Sequence, residues 1–271
     1  MKIRNILATV LLVIIPSLSY AGDKETNAVT LIEAMGFDEL IAQVPRLAHA
    51  TLLQSKGTLD EQFVADLERA LPIAYNSDIL YQNVLTQILG QFNNDFAVKM
   101  IEQLKSPLVE KMHALEDKTS TPEGQTAFRT YLDTKPEVAA TRLKLSERLD
   151  TSTKTSEFTI NLQAAMFRGI FFAVDPLLEP GVRMGKERLE MTIDRIKDSL
   201  KDSTESLTRL NYQFAYRSVS DSDLSAYVDM YDSAASQWAI KALNDAFLKA
   251  LDDSGEKMGI LMMSYSLPET P

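Results

Sequence analysis

Metal, proton and acyl chemistry need a short list of residue types, and this chain uses them sparingly. It has no cysteine and two histidines, His49 and His113. Without cysteine there is no thiol nucleophile, no thiolate zinc site and no disulfide framework. The histidines lie on separate helical stretches, and neither belongs to a His-Glu-x-x-His pattern. They read as ordinary side chains rather than metal ligands. No Gly-x-Ser-x-Gly elbow singles out a serine nucleophile. Gly181-Val182-Arg183-Met184-Gly185-Lys186-Glu187 is one residue short of a phosphate loop, puts Glu187 where the hydroxyl belongs and follows no strand, so it is rejected as one. Asp221-Ser222-Asp223 lacks the glycine and distal glutamate of a calcium loop, and helix capping accounts for it. No metal site and no cofactor are expected.

Two patterns remain. Glu190, Asp194, Asp198 and Asp202 recur every fourth residue, which on a helix makes one acidic stripe. Like charges at that spacing repel by a few tenths of a kcal/mol per pair, and Lys186, Lys197 and Lys201 are placed to offset them. The stripe therefore reads as a solvated, ion-paired face, with a divalent cation or basic partner as the sharper alternative. Tyr227, Tyr231 and Trp238 form an aromatic line at helical spacing, with Tyr212 and Tyr216 on the preceding helix. Core packing is the ordinary account of such a line. The alternative is a groove, because Tyr and Trp carry polar tips that need partners and concentrate at binding sites.

The elements that would hold these residues are helices. Glycine and proline number 10 each in 271 residues, few for a strand-and-turn fold, and no strand-period alternation bounded by turn signals occurs. Phe37–Leu53 carries an internal Pro45, Thr58-Leu59-Asp60-Glu61 reads as a capping box, and Thr121-Pro122 and Lys135-Pro136 read as helix starts. Phe158–Val174 is apolar around nearly its whole circumference, which predicts a helix buried at the centre of the fold. The formal net charge of −10 argues against a general nucleic-acid binder. Met1–Arg4 is basic, Ile6–Leu18 is apolar, and Ser19-Tyr20-Ala21 places small residues at −3 and −1. This predicts a secretory signal peptide cut after Ala21, hence export to the periplasm, with no membrane span after cleavage.

Residues 84–112 lie over residues 211–239 at a constant shift, Leu85 onto Tyr212 and Met100 onto Tyr227. Polar cap-capable runs fall together, Asn93-Asn94-Asp95 with Ser220-Asp221-Ser222-Asp223, as do the breaks at Ser106 and Ser233. Periodicity alone does not place breaks, so the match predicts a duplication. The run Phe92-Asn93-Asn94-Asp95-Phe96, continued by Met100 through Ser106-Pro107 to Met112, resembles the signature of the DUF2059 family, and Val219–Ala239 resembles it more weakly. Val109 and Ser236 stand where that family tends to have glycine, and Ala234 where it has proline. The resemblance implies an exported helical protein and assigns no activity.

The resulting expectation is an all-α, multi-helix bundle built from two divergent repeats around a central buried helix. Residues 1–21 form the signal peptide, 22–150 the first half, 151–182 the central helix and connector, and 183–271 the second half. In function it is a non-catalytic binding module whose side with Tyr212, Tyr216, Tyr227, Tyr231 and Trp238 receives a peptide, a lipid or a protein partner in the envelope. The alternatives are an envelope enzyme without cofactor, using carboxylates such as Glu187 or Glu190 as acid and base, and a purely structural role.

Overall fold

A computed structural model describes residues 15–55, 60–134 and 136–266. Among them are twelve α-helices and no strand. In chain order these are α1 (Ile15–Ala34), α2 (Phe37–Ser55), α3 (Glu61–Ala74), α4 (Ser77–Gly90), α5 (Asn94–Leu104) and α6 (Pro107–Ser120). They continue with α7 (Pro122–Thr134), α8 (Ala140–Thr153), α9 (Thr155–Val174), α10 (Gly185–Ala215), α11 (Asp221–Tyr231) and α12 (Ala234–Ser266). No described helix is long and apolar enough to cross a membrane. Of the expected signal peptide, residues 1–14 lie outside the described residues, and α1 runs through the expected cleavage position.

Short polar side chains set most helix starts, because they satisfy backbone N–H groups left free in the first turn. Asp60 accepts from the N–H of Gln62 and Phe63. Asn76 does the same for Asp78 and Ile79. Thr58, expected to open α3, lies outside the described residues with Leu59. Thr121 accepts from Gly124 N–H at 3.0 Å, and Pro122 follows as the first helical residue. The start expected at Lys135-Pro136 is displaced: Lys135 is outside the described residues, and α8 begins only at Ala140, behind an Ala139 that has no side-chain cap. Between α8 and α9 the chain turns at Lys154, at φ 55°. Buried Asp150 holds that turn by accepting from the N–H and hydroxyl of Ser156 at 2.9 and 2.7 Å.

The shift read in the sequence recurs in the backbone. Helices α5 and α11 are each 11 residues long and start 127 positions apart, and α6 and α12 start at Pro107 and Ala234. Asn93 caps α5 on Phe96 N–H, and Ser220 caps α11 on Asp223 N–H. Ser106 accepts from Val109 N–H at 3.4 Å and Ser233 from Ser236 N–H at 3.2 Å. The two units cross over, α5 packing on α12 and α11 on α6. Ser233 lies at the crossing, and its hydroxyl also reaches Gln103 and Ser236 at 3.4 and 2.9 Å. Replacing Ser106 by alanine should cost about 1 kcal/mol in urea unfolding, and Ser233→Ala somewhat more. A Ser233→Ala chain as stable as the wild type would show the break to be held by other contacts.

The rod at the centre is α12 rather than α9. It packs against α3, α4, α5, α8, α9 and α11 and buries Ala239, Leu243, Phe247, Ala250 and Met258. Helix α9 packs on α12 and α10, and buries mainly small residues with Ile160: Ala164, Ala165, Gly169 and Ala173. Its larger side chains sit at the rims, where Phe171 and Phe172 are partly buried and Phe167 is 36% exposed. The reason is close approach. A Cβ on Gly255 would stand 2.8 Å from the Gly169 Cα. Backbones that near leave no room between them for phenylalanine.

Candidate functional site

The face where α6, α10 and α11 meet carries four of the five expected aromatic residues. Tyr216 and Tyr227 are fully buried and Tyr231 is 7% exposed, while Tyr212 is partly buried. Tyr212 stacks on Tyr216 at 6.0 Å between centroids, Tyr216 meets Tyr227 edge-on at 5.8 Å, and Tyr227 meets Tyr231 edge-on at 5.1 Å. Four rings thus form one continuous chain. Trp238 does not join them: it packs on Phe92 at 5.8 Å and Phe96 at 6.2 Å. Asp232-Ser233 interrupts the helix between Tyr231 and Trp238. Trp238 emission should therefore stay unchanged when a molecule enters beside the tyrosines, whereas Phe92→Ala should shift it. A large shift on binding in the wild type would place the ligand elsewhere.

The tyrosine hydroxyls converge on a residue that no motif flagged. Glu116, on α6, accepts from the Tyr216 hydroxyl and from the Tyr227 hydroxyl through the same oxygen, Oε1, the latter at 3.1 Å. Tyr227 and Tyr231 hydroxyls are 3.4 Å apart. The Tyr212 hydroxyl lies 3.1 Å from Thr153 Oγ1 and 2.6 Å from Thr155 Oγ1. Glu116 is partly exposed as a residue, yet burial of its carboxyl pushes it above the ordinary glutamate range. The two hydroxyls and the nearby His113 oppose that rise, and Asp117 adds to it. Burial first, then the Glu116 charge, pushes Tyr216 far above an ordinary phenol. Tyr227 is pushed up by burial and then by Tyr231 and Glu116. Tyr212, mainly through burial, is pushed up to about 12. The hydroxyls thus remain donors throughout the physiological range.

The 127-residue shift makes a glutamate here informative. At that shift Glu116 lies over Leu243 and Tyr227 over Met100, and Leu243 and Met100 are fully buried. The position where α5 meets α12 is apolar, and the one where α6 meets α11 holds a carboxyl and phenols.

Beside the cluster is a cavity of about 440 Å³. Its floor is Leu149, Ala215 and Ile240, its walls include Tyr212, Tyr227 and Tyr231, and the α1–α2 turn at Met35-Gly36 edges it. Glu116, Asp117, Thr119, Asn211 and Asn244 supply its polar groups. A second cavity of about 490 Å³ shares Thr119, Ser120, Thr155, Asn211 and Tyr212 with the first. Together they make one cleft of the size that small ligands occupy.

The other candidates are not drawn into this cleft. His49 is exposed, and His113 is edge-on to Tyr227 at 6.5 Å without lining the cavity. Asp194, Asp198 and Asp202 are exposed along α10, and no group of three or more potential metal ligands occurs among the described residues. Glu187 is exposed, and Glu190 is bound at 3.2 Å by Arg168, which also holds Asp252 at 2.8 Å.

A scan against family models, a search of curated proteins and a search of solved structures each returned no match.

Proposed function

We propose that this chain is an exported helical module of the DUF2059 kind that binds a small ligand in the Tyr212–Tyr227–Glu116 cleft without transforming it. One observation carries the reading. Where α5 meets α12 the core is closed with buried Met100 and Leu243, whereas at the related position, where α6 meets α11, an open cavity is walled by three tyrosines and a desolvated carboxyl. Buried polar groups cost stability unless they are satisfied, so a polar wall around an open space points to use rather than packing. The signal-peptide pattern at residues 1–21 supports export. The protein recovered from a periplasmic fraction should begin at Gly22; a mature chain that still begins at Met1 would refute export by cleavage.

The binding reading is tested by thermal unfolding against low-molecular-weight envelope extracts. A saturating ligand should raise the midpoint by roughly 5 °C, and Tyr212→Ala should abolish the rise. No rise with any fraction, or the same rise in Tyr212→Ala, would remove the cleft from the account. A second reading, an envelope enzyme without cofactor, draws on the raised proton affinity of Glu116, the property of a general acid. Turnover of a bound compound by the wild type, lost in Glu116→Gln with binding retained, would select it.

A further inference from the structure

We infer that the cleft receives a small organic cation, an alkyl- or arylammonium, with its charged nitrogen at Glu116 and its carbon body against the tyrosine rings. This rests on reading the cleft as the binding site and adds the chemical class of its occupant. Three observations carry it.

The first is charge. Glu116 and Asp117 are the charged residues lining the inner cavity, and no lysine, arginine or histidine lines it. Four cations of the surrounding helices have other partners. Arg148 bridges Asp229 and Asp232, Arg142 pairs with Asp221 at 2.9 Å, Arg209 pairs with Glu147 and Glu205, and Lys111 pairs with Asp223 at 2.8 Å. Arg129 stands in the outer cavity beyond the shared wall of Tyr212. A desolvated carboxyl with no salt bridge, its rise opposed only by His113 and the two hydroxyls, is an unfavourable arrangement that a cationic ligand improves.

The second is hydrogen-bond capacity. Both tyrosine donors act on Oε1, and no described residue donates to Oε2. That oxygen is left to accept an N–H. An anionic ligand would find the reverse, since the Tyr216 and Tyr227 hydroxyl protons already point at Glu116 and Tyr212 is engaged with Thr153 and Thr155.

The third is the ring surface. Tyr212, Tyr227, Tyr231, Phe37 and Phe158 all line the cavity. Aromatic faces attract cations and also receive the apolar body of an amine. Asn211 and Asn244 add side-chain carbonyls as further acceptors.

The test uses three compounds with one carbon skeleton and three charges: phenethylamine, 2-phenylethanol and phenylacetate. Each is titrated into the full chain with its tyrosines isotopically labelled, and the Tyr212 and Tyr227 ring resonances are followed. Phenethylamine should bind at least roughly tenfold more tightly than the alcohol, and phenylacetate should not bind. Glu116→Gln should weaken the amine roughly tenfold and leave the alcohol within about twofold. Asp117→Asn, at the exposed rim, should weaken the amine alone and by less, and it serves where Glu116→Gln does not fold. Tighter binding of the alcohol or the acid at these tyrosines would overturn the cation and leave the cleft as a site. An unchanged affinity for the amine in both variants would also overturn it. Resonances that none of the three moves would overturn the cleft as a site together with the inference.

Discussion

Gly255→Val should cost about 3 kcal/mol of stability, although glycine inside a helix is ordinarily the poorer residue by about 1 kcal/mol. The sign follows from where the side chain would go. A Cβ at 255 meets the Gly169 Cα at 2.8 Å, and backbone cannot rotate away as a flexible side chain can. Gly259 repeats the arrangement one turn later, where a Cβ would press on the Phe172 carbonyl. Valine adds two methyl groups to that contact, so α9 and α12 must separate and loosen Ala165, Gly169 and Ala173 together. Gly90 provides the contrast. It is exposed at the end of α4 with nothing within 4 Å of a built Cβ, so Gly90→Ala should stabilise by about 0.5–1 kcal/mol. Urea unfolding of the two variants should give opposite signs; equal signs would mean that α9 and α12 do not cross as closely as described.

Tyr216→Phe should cost about 2 kcal/mol near neutral pH, the worth of a hydrogen bond to a charged group, and the cost should shrink in acid. Glu116 is held above its ordinary value of 4.5, chiefly by burial. Between that value and the raised folded value, the native state binds more protons than the unfolded chain. The stability that Glu116 lends as a neutral acid is therefore complete below 4.5 and is lost as the pH rises through the folded value. The Tyr216 hydroxyl partly offsets that loss by favouring the carboxylate. Removing it raises the proton affinity of Glu116 further and deepens the decline with pH. In a Glu116→Gln background the charge is gone, so the cost of Tyr216→Phe should no longer depend on pH. Unfolding free energies at pH 4 and pH 8 for the four chains of this cycle measure the coupling directly. A Tyr216→Phe cost that is constant with pH in the wild-type background would show that the hydroxyl does not act on the Glu116 charge.

What could be read from the sequence was local. Asn93, Ser220, Ser106 and Ser233 cap their helices where a polar residue precedes an apolar run, and a cap is a contact across three residues. The all-α class follows from the same local signals. Tertiary placement was not legible. Phe158–Val174 looked central because apolar residues covered its circumference, but the close contact is made by Ala164, Ala165 and Gly169, and the large rings sit at the rims. Helix α12 concealed its position because many of its buried residues, Ala239, Ala242, Ala246, Ala250 and Ser254, carry little hydropathy. Its exposed stripe, Lys241–Asp245 and Lys249–Asp253, gives it the look of a surface helix.

The site was half legible. Tyr212, Tyr216, Tyr227 and Tyr231 are brought together, and Trp238 is turned away by the break at Asp232-Ser233. Glu116 was missed because it sits in Leu115-Glu116-Asp117-Lys118, a run that reads as solvated surface. Its partners lie 100 and 111 residues away. The signal that could have found it was the 127-residue shift, since a glutamate aligned with Leu243 marks a charge at a core position.

The most direct experiment is a crystal of the protein soaked with a chemically mixed set of small fragments. Density should gather in the cleft between Tyr212, Tyr227 and Glu116, ahead of every other surface. Fragments seated only elsewhere, with the tyrosine side chains closed over the cavity, would leave this cluster as core packing and the protein without the site assigned to it.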